Sequence, residues 1–477
     1  MAALALLLCV LTACSAPTST EWAISVIGDY YYEEVDLSGA SSMSADEIVE
    51  EYLDAFSAYY TAEEYAEVFA SNAGEMQNAG FSVGVIAGYA YVYLCNGNSP
   101  AWEAGVRVGD RVLRAETRDG ETLDFVNAPY ESLDAALSET AEGNIARFVF
   151  EREGREKTFE YRTAAYDQSY VLMATNSEAW SFTGSGALTM TSSPDDVISY
   201  LPEGTAYISL SGFHGNAAEQ FALACARFAE LGLDALILDL RNNGGGYIDV
   251  ACHIAACFEG SAGKVFMSYG GRAYEGEYYA YRAEEGRYIP SSAKVYVMMN
   301  GNSASASEAL VGCLIDYGVT ERRNIFLSSY DAEDIGADPS LFKSGSSYGK
   351  GCMQQNFTNR WTGEVLHLTT ALIYWPSGET IHGRGLRVED GCVANTAPYI
   401  SSAVNAEVEN VARVIAERNA VCQTGIIRTS LGAILFGAFA QPNLANMYTI
   451  ACVPPVQNHT KISCSEVRAV PRQPIFG

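Results

Sequence analysis

Six residues, Ala235-Leu-Ile-Leu-Asp-Leu240, lead through Arg241-Asn242-Asn243 into Gly244-Gly245-Gly246. A near-continuous apolar run of this length suits a strand buried on both faces. Such strands belong to parallel sheets covered by helices. Glycines placed directly after it let the backbone turn sharply and aim N–H groups at a helix start. The alternation recurs on both sides. Ala206–Leu210 and Val295–Met299 read as further buried strands. Asn216-Ala-Ala-Glu219 opens a helix running to Gly232, and Ser303–Tyr317 reads as a helix with Gly318 just past its end. The expected core is therefore β/α. Its glycine turn lacks GxGxxG spacing and no GK[ST] follows, so dinucleotide and Walker phosphate sites are both excluded.

Upstream the pattern changes. Ser44-Ala-Asp-Glu47 is a capping box before Ile48, Val49, Tyr52, Leu53 and Phe56 at helical spacing, and Thr61-Ala-Glu-Glu64 is a second. Residues 44–77 are expected as a helical segment. Residues 80–163 are rich in strand and turn signals, with Phe148–Phe150 and Thr158–Tyr161 flanking Glu153-Gly154 as a hairpin. Within them, Ser99-Pro-Ala-Trp-Glu-Ala-Gly-Val-Arg-Val-Gly-Asp-Arg-Val-Leu113 resembles a PDZ domain, expected over 78–165. The resemblance implies binding of a C-terminal peptide as an added strand. Its carboxylate would lie on loop N–H groups within Ala79, Gly80, Phe81, Ser82 and Val83.

The net charge is −29. That excess of carboxylates argues against nucleic acid and against an anionic lipid surface as partners. Residues 2–13 are apolar, too short to span a bilayer and of signal-peptide length. Leu11-Thr-Ala-Cys14 resembles a bacterial lipobox. The expectation is a signal peptide over 1–13, lipidation at Cys14, a flexible tether over 14–43, and a place outside the cytoplasmic membrane as a cell-envelope lipoprotein. Residues 420–477 hold four basic residues and one acidic residue, so a boundary is set near 419, before a tail of unassigned role. Cys252 and Cys257 stand five apart, which on a helix separates their side chains. No metal or cofactor is expected.

Two further segments carry candidate chemistry. Asn300-Gly-Asn-Ser-Ala-Ser-Ala-Ser-Glu308 takes a strand into a helix, where a serine hydroxyl is exposed at the positive end of the dipole. Tyr348-Gly-Lys-Gly-Cys-Met-Gln354 places a lysine between two glycines. Each alone suits a plain turn as well as a site. In the order LDLRNNGGG, SASASE, GKGxxQ, with Tyr59–Tyr65 before and Trp375–Leu386 after, they resemble the C-terminal processing (tail-specific) peptidases over roughly residues 45–415.

The resemblance implies a Ser–Lys dyad. Ser305, the first serine of ASASE, is the nucleophile, Lys350 the general base, and Gln354 its orienting partner. The oxyanion donors are the N–H groups of Ala306 and Gly246, with Gly245 open. It also implies the fold class: α/β and multidomain, with a crotonase/ClpP-like protease core over 166–418, a PDZ-like domain upstream and N-terminal helices. Substrates would be proteins held by their C-termini. A catalytically inactive PDZ scaffold is the alternative. Five histidines are present, and none falls at the base position of the motif. Ser305 and Lys350 are 45 residues apart, a wide separation, and residues 326–346 read as an inserted loop.

Overall fold

A computed structural model describes residues 16–66, 75–86, 89–126, 145–152, 154–184, 187–282, 285–330, 343–396 and 406–420. Cys14, the signal segment and the tail beyond 420 lie outside them. The chain divides at Arg413/Val414 into two units.

The first unit is mixed α/β with several sheets. The expected buried strands form at Thr205–Leu210, Ala235–Asp239 and Lys294–Met299, paired in parallel and in that order, followed by Ile325–Ser329 and Val393–Thr396. Helices Ala217–Glu230, Ile248–Ala256 and Ala306–Asp316 follow the first three. All five residues of Ala235–Asp239 are buried, as the apolar run requires. Phe213, Phe221, Leu238, Val297, Leu310 and Trp375 join one cluster of buried side chains that holds strands and helices together. Gly312 is required there by close approach. A Cβ on it would stand 2.2 Å from the Trp375 indole. Gly312→Ala is therefore expected to cost about 1–3 kcal/mol through overpacking, read as a lower urea midpoint with an unchanged slope.

A second sheet, Phe81–Ile86, Tyr89–Cys95, Arg111–Thr117, Ile145–Arg152 and Arg155–Glu160, encloses its own cluster around Phe148, Phe150 and Phe159. The expected hairpin is present. Glu75–Asn78 pairs with Ala164–Asp167, so this region reaches slightly past both edges of 78–165. Among the described residues, Phe81–Ile86 is an edge strand of this sheet.

Three sequence expectations are corrected. The tether is folded from Ser19. Ser19–Tyr30 is a helix with a Thr18–Glu21 capping box, burying Trp22, Ala23 and Ile27 against Leu366 and Leu368. The segment after Ser44 is one helix, Ala45–Tyr52, then a strand, Ala58–Tyr60, before helical residues 62–66. That first helix stops because Asp54 Oδ1 accepts from the N–H groups of Phe56 and Ser57, which bends the chain. The supposed insertion begins as sheet, since Ile325–Leu327 pairs with Val297–Met299 and Phe326–Ser329 with Val393–Thr396. Residues 331–342 lie outside the described set. No helix among the described residues is long and apolar enough to cross a membrane.

Candidate active site

The buried strand Ala235–Asp239 delivers the glycine turn to the start of the helix Ala306–Asp316. An ionic anchor fixes the turn from below. Arg241 pairs with Asp239 at 2.7 Å and with Glu407, and the Tyr207 hydroxyl donates to Asp239 Oδ2 at 2.7 Å. All three ionic side chains are nearly buried, and buried charges persist only when paired like this. Above the anchor, Ala304 N–H donates to the Asn243 carbonyl at 3.0 Å.

The three serines of the segment divide by hydrogen bonding. Ser303 donates to the Leu240 carbonyl at 2.7 Å and Ser307 to the Asn243 carbonyl at 2.9 Å, so both staple the two turns together. The Ser305 hydroxyl donates to no acceptor among the described residues. Ser305 also has φ +56° and ψ −115°, a backbone conformation rare for a residue with a side chain. Strain of this sort costs about 1–3 kcal/mol and collects at functional sites. Ser305 is thus singled out by geometry independently of the motif.

Gly245 abuts it. At φ +105°, a Cβ on Gly245 would lie 2.8 Å from Ser305 Cβ and 3.0 Å from Ala306 N. Its own N–H is occupied by Asn243 Oδ1 at 2.9 Å. The N–H groups of Gly246 and Ala306 make no hydrogen bond within the described residues, which favours that pair over Gly245 as anion donors. His214 packs beside Gly246 and against the Tyr247 ring at 5.5 Å. Burial pushes its imidazole below the usual range, and Nδ1 is buried without a partner.

Lys350 is half-buried in the loop before strand Cys352–Thr358. Its Nζ lies 5.5 Å from the centre of the Phe56 ring. Burial pulls the amine below the ordinary lysine range, while Cys352, Asp54 and Glu308 push it back up. The net direction is that of a base. No hydrogen bond joins Lys350 Nζ to Ser305 Oγ, and the amine rests over the Phe56 ring. Gln354 is not on Lys350. Its amide reaches Cys352 Sγ and Thr369 Oγ1, each at 3.1 Å.

The residue that joins the two halves of the site is Glu308, which the sequence reading left inside the motif without a role. It is 2% exposed. Its Oε1 accepts from Ser347 Oγ at 2.5 Å and Gly349 N–H at 2.7 Å, and its Oε2 from the N–H groups of Ser305 and Lys350, both at 3.0 Å. One carboxylate therefore holds the backbones of Ser305 and Lys350 together. Burial raises its pKa and the four donors oppose that rise.

Residues 204–321 match peptidase family S41. That span contains the glycine turn, Ser305 and Glu308. Over that span the chain is similar to this peptidase family. It is 22% identical over 367 residues to the "Probable CtpA-like serine protease" of Staphylococcus haemolyticus, covering 77% of this chain and 63% of that one. The protein of the same description from Staphylococcus epidermidis is 23% identical over 372 residues, with the same coverage. The chain thus spans 63% of the length of these curated relatives. Among solved structures it is similar to the photosystem II D1 C-terminal processing protease, at a TM-score of 0.46 and 18% identity over 82% of this chain and 95% of that one. Lys350, Gln354 and the N-terminal segment lie outside the matched span, so their part in the site rests on geometry.

The expected peptide carboxylate loop differs from the sequence reading. Phe81, Ser82 and Val83 belong to the edge strand, with a register shift between Ser82 and Val83. Phe81 turns inward onto Phe148 at 5.3 Å. Gly80 is held at φ +81°, where a Cβ would overlap Ser99 at 2.0 Å.

Proposed function

We propose that this chain is an exported serine endopeptidase that cleaves proteins by a Ser305–Lys350 dyad after holding their C-terminal residues at the edge strand Phe81–Ile86. The observation that carries the reading is the Glu308 clamp, which fixes the backbones of Ser305 and Lys350 through one carboxylate. In the reaction, Ser305 Oγ attacks the scissile carbonyl carbon while its proton passes to neutral Lys350 Nζ. The N–H groups of Gly246 and Ala306 receive the oxyanion. The ammonium then protonates the departing amine, and a water, deprotonated by the same lysine, releases the acyl group from Ser305.

The open edge and the register shift support strand addition by a peptide. A second link supports communication with the core: Asn242, in the glycine turn, donates from Nδ2 to the Tyr93 carbonyl in the neighbouring strand at 3.1 Å. Lipidation at Cys14 and a place on the outer side of the cytoplasmic membrane complete the proposal. The test is cleavage of one tagged protein carrying different final residues. Rates are expected to vary by at least about 10-fold, as one or two anchoring contacts would give. Equal rates for all tails would remove the recognition step and leave the dyad untouched.

A further inference from the structure

The N-terminal turn Asp54-Ala-Phe-Ser57 lies far outside the matched family span, yet it packs on Lys350. Phe56 covers Nζ and also meets Tyr348 at 6.1 Å and His382 at 6.3 Å. Beside it, Asp54 Oδ1 accepts from four donors: the N–H groups of Phe56 and Ser57, Ser57 Oγ at 2.9 Å and Thr369 Oγ1 at 3.1 Å. Its other oxygen, Oδ2, is buried with no partner. An unpaired buried carboxylate oxygen is costly, and such groups call for an explanation. Thr369 Oγ1 accepts in turn from Gln354 Nε2 at 3.1 Å, which also touches Cys352. A chain of contacts thus runs from Asp54 through Thr369 and Gln354 to Cys352, at the start of the strand that follows Lys350.

We propose that Asp54 is the counter-ion of Lys350: its free Oδ2 stabilises the ammonium formed when Lys350 takes the Ser305 proton, and its Oδ1 positions Gln354 through Thr369. The inference rests on the dyad reading above. No atom is added or lost. The proton moves from Ser305 Oγ to Lys350 Nζ as the Oγ–carbon bond forms, and leaves with the amine as the carbon–nitrogen bond breaks. Lys350 needs this partner because its site is partly dry. Burial favours the neutral amine that accepts the proton, but the same burial penalises the ammonium that results. The other titratable groups facing Lys350 are Glu308 from the nucleophile helix, Cys352 from the strand that follows it and His367 from the adjacent strand Val365–Tyr374. Glu308 already serves four donors. Cys352 is held protonated, with its thiol pushed up to about 12. His367 is pushed down to about 4 by burial and by Lys350 itself, and so stays neutral. Tyr31 and Tyr32 face Asp54 from the N-terminal segment. Burial raises both hydroxyls, with Asp54 adding next at Tyr31 and Glu33 at Tyr32, so they stay protonated. Asp54 is left as the acceptor with a free oxygen.

The experiment is kcat/KM against pH for the full chain with dye-labelled casein, comparing native, Asp54→Asn, Thr369→Val and Lys350→Ala proteins. Removing the Asp54 charge makes Lys350 lose its proton more readily. The acid limb of the D54N profile is expected to move down by at least about half a pH unit. Its high-pH plateau should fall about 10-fold, as for loss of a charge partner worth about 1.4 kcal/mol. T369V keeps the charge, so its limb should stay in place while its rate drops. If D54N does not fold, Asp54→Ser, which keeps a hydrogen-bond acceptor, is read in its place. An unmoved limb in a folded Asp54 variant, with Lys350→Ala inactive, would overturn the counter-ion and spare the dyad. Native activity in Lys350→Ala would overturn both.

Discussion

Lys350→Ala will reduce protein cleavage by at least about 10⁴-fold, the scale seen when a nucleophile loses its paired base, with the fold intact. A serine hydroxyl at neutral pH is a poor nucleophile, and no other group near Ser305 among the described residues is disposed to take its proton. His214 packs against Gly246 and Tyr247. Glu308 is committed to four donors. The fold should survive because Lys350 Nζ makes no ion pair or hydrogen bond within the described residues, and it packs on the Phe56 ring. Thermal unfolding of the variant should match that of the native chain, while casein turnover disappears.

Glu308→Ala is expected to do more damage, because it acts on structure and chemistry together. It strips acceptors from Ser347, Gly349, Lys350 and Ser305 inside a buried site. Leaving buried donors unsatisfied costs about 1–3 kcal/mol for each group that water cannot reach. Loss of about 3–5 kcal/mol overall is the reasonable scale, enough to be plain in a denaturant midpoint. Glu308→Gln separates the two effects. It keeps the volume and one acceptor oxygen, so it should fold, but it must drop part of the clamp on either Ser305 and Lys350 or Ser347 and Gly349. We expect turnover to fall about 10²-fold or more, as when 1 Å of misplacement disturbs a reacting pair, with KM changed little. Native turnover in E308Q would show that the shared carboxylate is not what aligns the site.

Much of the core was legible because its residues obey local rules. Ala235–Leu240 could be read as a buried strand since apolar continuity and the following glycines are both sequence-local. The Ser305 and Lys350 loops were legible only as motifs. What singles out Ser305 from Ser303 and Ser307 is that the neighbours' hydroxyls are spent on Leu240 and Asn243, over 60 residues away along the chain. Glu308 and Asp54 escaped for the same reason. Glu308 meets Lys350 across 42 positions, and Asp54 meets Thr369 across 315. The helix Ser19–Tyr30 was hidden by its polar opening, although Thr18 and Glu21 form a capping box and Trp22, Ala23 and Ile27 mark its buried face. Phe326–Ser329 was hidden by its neighbours. Four strand residues beside a polar, acidic stretch give too little periodicity to stand out, and only pairing on both sides makes them a strand.

The central claim is that peptide bonds are broken by Ser305 and by no other group of this chain. Its most direct measurement is release of acid-soluble fragments from dye-labelled casein by Ser305→Ala beside the native chain, at equal folded concentration. The dyad account predicts release by the native protein and a signal at the level of the enzyme-free blank for the variant. Fragment release by Ser305→Ala at the native rate would contradict it.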